Sequence, residues 1–252
     1  MSQPTVTHDL PGAGARPAGE AKPTDARQFV SFTFFHIEPE WRQLRPEVRA
    51  SHITQLVSVL NQQRDQLVVC LTYSLVGLKA DVEFLVWSVA TSLEALQATN
   101  AAILRSGLGA YLRTPYLYLS MTKRSTYVDK LDPEHPEQRR FVTPFHSKYL
   151  FIYPFWKTAE WYMLPKDQRQ AMMDEHIRTG NMYPSVRIHT TYSFGLDDPE
   201  FMLAFETDEP KDFLDLVMTM RENKARPYTL RDTPIFTCVA KPLEQLLNEL
   251  GA

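Results

Sequence analysis

The chain has only two cysteines in 252 residues, Cys70 and Cys238, and they do not form a CxxC pair. That excludes a zinc ribbon and a thioredoxin-type redox motif, and the simplest reading is two reduced thiols in a cytoplasm. No apolar run reaches the about 18 residues a membrane-spanning helix needs, and the N-terminus carries no apolar segment of signal-peptide length. An excess of basic charge is also missing. Against 27 Lys and Arg stand 30 Asp and Glu, a net charge of −3, so nothing points to nucleic acid as a partner. The common local motifs are absent as well: no Walker loop, no GxGxxG after a strand, no HExxH and no GxSxG. Any chemistry must therefore come from dispersed residues that the fold gathers around a cavity.

What is present is ordinary globular composition, with 44% apolar and 23% charged residues. A chain of this length buries roughly 70–75% of its unfolded surface and needs no disulfide or zinc to fold. Residues 1–27 stand apart: twelve are Pro, Gly or Ala and none is aromatic. Such a segment buries too little to offset its ordering entropy and is predicted to be a flexible tail.

From residue 28 the periodicity alternates. Phe29–His36 is aromatic and β-branched and predicts a strand. Trp41, Leu44, Val48, Ile53, Leu56, Val57 and Leu60 follow helical spacing. Leu67–Leu78 and Val82–Val89 predict strands, Leu93–Arg105 a helix and Pro115–Met121 a strand. This β-α-β-β-α-β unit fills residues 28–124. Residues 125–147 are polar and Pro-rich and predict a connecting loop. The order then repeats over residues 148–252. Tyr149–Trp156 predicts a strand and a helix runs from Pro165 toward Gly180. Val186–Phe194 and Phe201–Glu206 predict strands, a helix opens at Pro210, and Thr233–Val239 closes the unit.

The halves also match in sequence. TYSLVGL at Thr72–Leu78 parallels TYSFGL at Thr191–Leu196. The pattern predicts an α+β fold, a duplicated ferredoxin-like unit whose two sheets bury their open faces on each other as a double barrel with helices outside.

Of the seven histidines, His8 lies in the tail and His135 in the connecting loop, and His36, His52 and His146 have no suggestive neighbours. His176 sits on the edge of an apolar helix face with Met172 at i−4 and Met173 and Ile177 beside it. It reads either as a core-edge histidine bonded to a carbonyl or as a single iron ligand on an apolar wall. Tyr153 precedes Pro154 in YLFIYPFWK, where a strand proline implies an edge or a bulge. It reads as a satisfied core tyrosine or as a redox tyrosine at a pocket. Lys157 is either solvated or placed to hold a carboxylate. In the next strand Arg187, His189 and Thr191 share one face, and Ile188, Thr190 and Tyr192 the other. Periodicity does not say which face is inside.

The segments YLFIYPFWKTAEWYML, MMDEH and TTYSFGLDDPEFMLAF resemble the chlorite dismutase family over about residues 28–240, and within it the coproheme decarboxylase branch. The resemblance implies a haem-type site in the C-terminal half and a homo-oligomer, usually a pentamer. It implies His176 as the iron ligand, Tyr153 as the radical-forming tyrosine and Lys157 as the lysine beside the reacting propionate. Ile188 would be the distal residue, Met172 a pocket wall, and Arg139 a contact to propionates in the loop. The implied reaction takes iron-coproporphyrin III to haem b by two decarboxylations with hydrogen peroxide, in the cytoplasm. Lys224 stands where the family usually carries the Glu that orients the iron-binding histidine, with Glu222 and Asn223 nearby. Pro227 replaces the arginine before Tyr228, and Arg226 lies one earlier. These departures motivate a second reading, a haem-binding protein without decarboxylase activity. A third, chlorite dismutation, requires Arg187 to face the iron.

Overall fold

The computed structural model describes residues 26–127 and 141–251. The predicted tail, apart from its last two residues, lies outside the described residues, as does Arg139. Among the described residues nine strands and seven α-helices follow in chain order. The first half holds β1 (Phe29–Ile37), α1 (Pro39–Arg42), α2 (Pro46–Gln63), β2 (Val69–Ser74), β3 (Phe84–Ala90), α3 (Leu93–Arg105) and β4 (Leu112–Met121). The second holds β5 (Tyr149–Lys157), α4 (Ala159–Met163), α5 (Lys166–Asn181), β6 (Arg187–Tyr192), β7 (Phe201–Thr207), α6 (Pro210–Met220), β8 (Thr229–Arg231), β9 (Phe236–Ala240) and α7 (Leu243–Glu249).

Local chemistry explains several boundaries. Proline opens α1, α2 and α6, where its missing N–H is no loss. Ser92 caps α3, its hydroxyl accepting the Ala95 N–H at 3.2 Å. Gly77 and Gly195 hold φ near +73° and +72° in the turns that follow β2 and β6, so both halves of the repeated motif use glycine for the same left-handed step.

In the first half the strands lie in the order β4-β1-β3-β2, and in the second β6-β7-β5-β9. Each is the antiparallel ferredoxin-like arrangement. The halves join at their edges, β2 to β9 and β4 to β6, and the ring closes. The two predicted sheets therefore face one another across the inside of a single closed barrel, which leaves few free edges. Phe32, Phe34, Tyr73 and Trp87 from the first half meet Ile152, Met202, Ala204 and Phe236 from the second in its interior.

The outer faces of the two halves differ. Over the first, α2, α3 and α7 close a core of fifteen buried residues that includes Phe35, Leu56, Phe84, Ile103 and Leu246. Over the second, the hydrophobic cluster holds four buried members among the described residues, Phe151, Phe205, Phe213 and Leu216, under α6. Helix α2 buries Ile53, Leu56 and Leu60. Its counterpart α5 buries only Thr179 in 16 residues. The duplicated unit is thus well filled on one side and less filled on the other, where α5 contributes little to the core.

Candidate active site

The floor of the less filled side is the outer face of β5, β6 and β7. Registers Tyr153↔Leu203, Thr190↔Leu203 and Ile188↔Phe205 put Tyr153, Ile188 and Thr190 on that same face. The Tyr153 ring stacks on Phe205 with centroids 5.5 Å apart. Pro154 falls between the end of the β5–β9 ladder at Ile152 and the start of the β5–β8 pairing at Trp156, so its missing N–H leaves no strand partner unmet. A slip in register follows at Trp156 and Lys157.

The parity of β6 is now fixed. His189 and Thr191 point into the barrel, where His189 Nε2 meets Glu206 Oε2 at 2.7 Å and the imidazole packs on Trp87. Arg187 leans the same way, its guanidinium 5.1 Å from the Phe145 ring centre. Ile188 faces the cleft and is 37% exposed.

Helix α5 forms the opposite wall. His176, Met172, Met173 and Ile177 are each half-buried. Among the described residues nothing shares a hydrogen bond with the His176 ring. The core-edge alternative, a ring tied to a carbonyl, therefore does not hold. Burial, and then the charge of Lys157, push the His176 pKa down to about 4. The imidazole is neutral at physiological pH and offers a free lone pair, the form in which histidine binds a metal.

Lys157 joins the two walls. Its ammonium lies 4.3 Å from the Trp161 ring centre, and Nζ reaches the Ala225 carbonyl at 3.4 Å. Burial and the neighbouring Arg226 lower its pKa to about 8, against an opposing pull from Glu200. Tyr153 is raised above the ordinary phenol value, chiefly by burial and then by Asp232, so it stays protonated.

Arg226 proves more central than the sequence suggested. It sits in the 3-10 turn Arg226–Tyr228, binds Asp232 at 2.9 Å, and its charge is felt by both Tyr153 and Lys157. Arg221 pairs with the same carboxylate. The sequence signal was present, an arginine one place from its expected position, but a 3-10 turn shifts side chains that simple counting aligns.

The segment after α6 answers the question raised by Lys224. Glu222 and Lys224 are exposed. Asn223 is buried, but it contacts Thr179 Oγ1 at 3.4 Å and Met220 Sδ at 3.3 Å. Glu175 takes the Lys224 N–H at 3.4 Å. No carboxylate reaches the imidazole among the described residues. Among the described residues no group of three or more His, Cys, Asp or Glu gathers as a metal cluster either.

Fold and site together define a class: a duplicated ferredoxin-like barrel with a one-histidine, tyrosine-floored cleft under the fifth helix. The pattern of the chlorite dismutase family matches residues 23–241, and the chain belongs to that family. It is 33% identical over 230 residues to the coproheme decarboxylase of Mycolicibacterium smegmatis, covering 88% of this chain and 94% of that one. It is 32% identical over 156 residues to the coproheme decarboxylase of Thermus thermophilus, covering 59% and 62%. Among solved structures, a chlorite dismutase variant from Candidatus Nitrospira defluvii superposes with a TM-score of 0.82 at 24% identity, over 89% of this chain and 96% of that one. A heme-binding protein from Thermus thermophilus superposes with a TM-score of 0.79 at 22% identity, over 89% and 95%. The structural likenesses speak for the fold.

Proposed function

We propose that the protein is a coproheme decarboxylase that binds iron-coproporphyrin III in the cleft between α5 and the β5–β7 floor and converts two propionates to vinyl groups. The observation that carries this reading is one cleft with a neutral, unpartnered His176 on one wall, a protonated Tyr153 on the other, and Lys157 felt at the first. The 33% relative is a coproheme decarboxylase, which supports the same substrate.

His176 would hold the iron, and the bound iron would supply the centre at which hydrogen peroxide is reduced. Tyr153 would give up an electron and its phenolic proton, then take a hydrogen atom from the propionate β-carbon. Lys157 would hold the carboxylate in place, a charge-assisted contact. Arg226 adds positive charge beside both. For each propionate one peroxide and one proton are consumed, and one carbon dioxide and two waters leave. Met172, Ile188 and Phe155 would keep water from the radical. Arg139, outside the described residues, is our candidate for a further propionate contact.

Among the described residues no helix is long and apolar enough to cross a membrane. We infer a cytoplasmic homo-oligomer, a pentamer as the family resemblance implies; sedimentation equilibrium reads the number.

The absence of a carboxylate at the His176 ring favours one second reading, a protein that holds the porphyrin without decarboxylating it. Strand parity speaks against chlorite dismutation, because Ile188 and not Arg187 faces the cleft. The test is anaerobic titration with iron-coproporphyrin III, then hydrogen peroxide, with mass analysis of the porphyrin. Loss of two carboxyl groups, abolished in Tyr153→Phe with binding retained, is expected. A Soret shift lost in His176→Ala without any mass change would replace the enzyme by the binding protein.

A further inference from the structure

Glu200, just before β7, takes over a task that a strand would otherwise perform. The β5–β7 ladder ends at Phe155↔Phe201, and the β5–β8 pairing slips between Trp156 and Lys157. The Lys157 N–H thus lies beyond the last β7 pair. Glu200 Oε2 accepts it at 2.7 Å. The same oxygen accepts the Tyr162 hydroxyl, from α4, at 2.6 Å.

One carboxylate oxygen therefore ties the backbone from which the Lys157 side chain departs to the helix carrying Trp161, the ring on which the ammonium rests. We propose that Glu200 is the positioning residue for Lys157, fixing where the ammonium stands to receive a substrate carboxylate. This rests on the reading of Lys157 given above. Hydrogen bonds to a charged carboxylate are stronger than neutral ones and can set a side chain's origin, and a shift of an ångström at a binding cation weakens what it holds.

The first test uses metal-free coproporphyrin III, which carries the carboxylates but gives His176 no iron, with binding followed by fluorescence. Glu200→Ala is expected to raise Kd about tenfold. Read at about pH 6, where Lys157 keeps its proton in every variant, Glu200→Gln keeps an acceptor oxygen and is expected to stay near wild type. Added to Lys157→Met, Glu200→Ala is expected to change nothing more, since it acts through the lysine. Additive losses, or an equal loss in Glu200→Gln, would overturn the proposal. The second test needs no porphyrin: the rate at which acetic anhydride labels Lys157, read by peptide mass. Read at about pH 10, where Lys157 is deprotonated in every variant and the lost Glu200 charge does not enter, it is expected to rise several-fold in Glu200→Ala and not in Glu200→Gln, and an unchanged rate in Glu200→Ala would equally overturn it. If Glu200→Ala does not fold, Glu200→Asp withdraws the oxygen by one methylene and serves in both assays. Should the wild type bind no coproporphyrin, the functional reading fails, while the labelling rates still decide the role of Glu200.

Discussion

Burial presses on both Lys157 and His176, and the charge of Lys157 further disfavours a proton on His176. For Lys157 the result is a pKa of about 8, so its ammonium is present below that value and lost above it. Affinity for metal-free coproporphyrin III is therefore expected to fall as pH rises through about 8, by roughly tenfold or more for a charge-assisted contact. In Lys157→Met that dependence should vanish, and fluorescence titration at several pH values checks it. For His176 the pKa is lowered to about 4, from an ordinary value of 6.5. Between those values the unfolded chain binds a proton that the folded one refuses, so stability should decline as pH falls from about 6.5 to 4. Melting temperatures across that range should show a shallower slope in His176→Phe. Both side chains were visible as candidates in the sequence. The influence of Lys157 on His176 was not, because 19 residues separate them and only the fold opposes helix to sheet.

Helices α2 and α5 occupy equivalent places in the repeat and do opposite work. Leu56 is fully buried in the core between α2, α7 and the sheet. Leu56→Ala should cost about 2–5 kcal/mol by urea denaturation. Met172 on α5 is half-buried beside the cleft, and Met172→Ala should cost under about 1 kcal/mol while weakening porphyrin binding. Equal losses would mean that α5 is packed like α2. Spacing marked α2, α3 and α6 well, since each has several turns of apolar periodicity, while α5 was legible from Pro165 at its start and Gly180 near its end. It missed α4, β8 and α7. The first two are five and three residues long, too short for a period to repeat. Helix α7 did carry a signal, Leu243, Leu246, Leu247 and Leu250 at i, i+3, i+4 and i+7, and the reading stopped before it. For β6 the alternation separated Arg187 from Ile188 correctly but could not say which face was inside. That needs the neighbours, Phe205 on one side and Trp87 on the other.

The repeat of TYS and glycine made the duplication legible, and duplication made a barrel the expected way to cover two sheets. Which half would be less filled was not legible, because both carry the same element order. The closed ring shows why the halves depend on each other. Their seams are thin: β4 meets β6 in a single residue pair, Met121↔Tyr192, and β2 meets β9 in two. Around the first seam Ser120 and Thr191 share a hydroxyl contact at 2.7 Å, and the Leu119 N–H reaches Asp197 at 2.8 Å. Such seams are too weak to join two independently stable domains. The interior is what joins them. Phe34 from β1 stacks on Phe236 from β9 at 4.0 Å, and both are fully buried. Removing one half would expose the interior aromatic face of the other, so we expect residues 28–124 alone to lack a cooperative fold. Phe236→Ala should cost about 3–5 kcal/mol. It should also lower the melting of the whole chain in one calorimetric transition, with helices of the first half and strands of the second lost together. Two transitions, only one of them shifted, would show instead that the halves fold as separate units and that the barrel interior is merely where they touch.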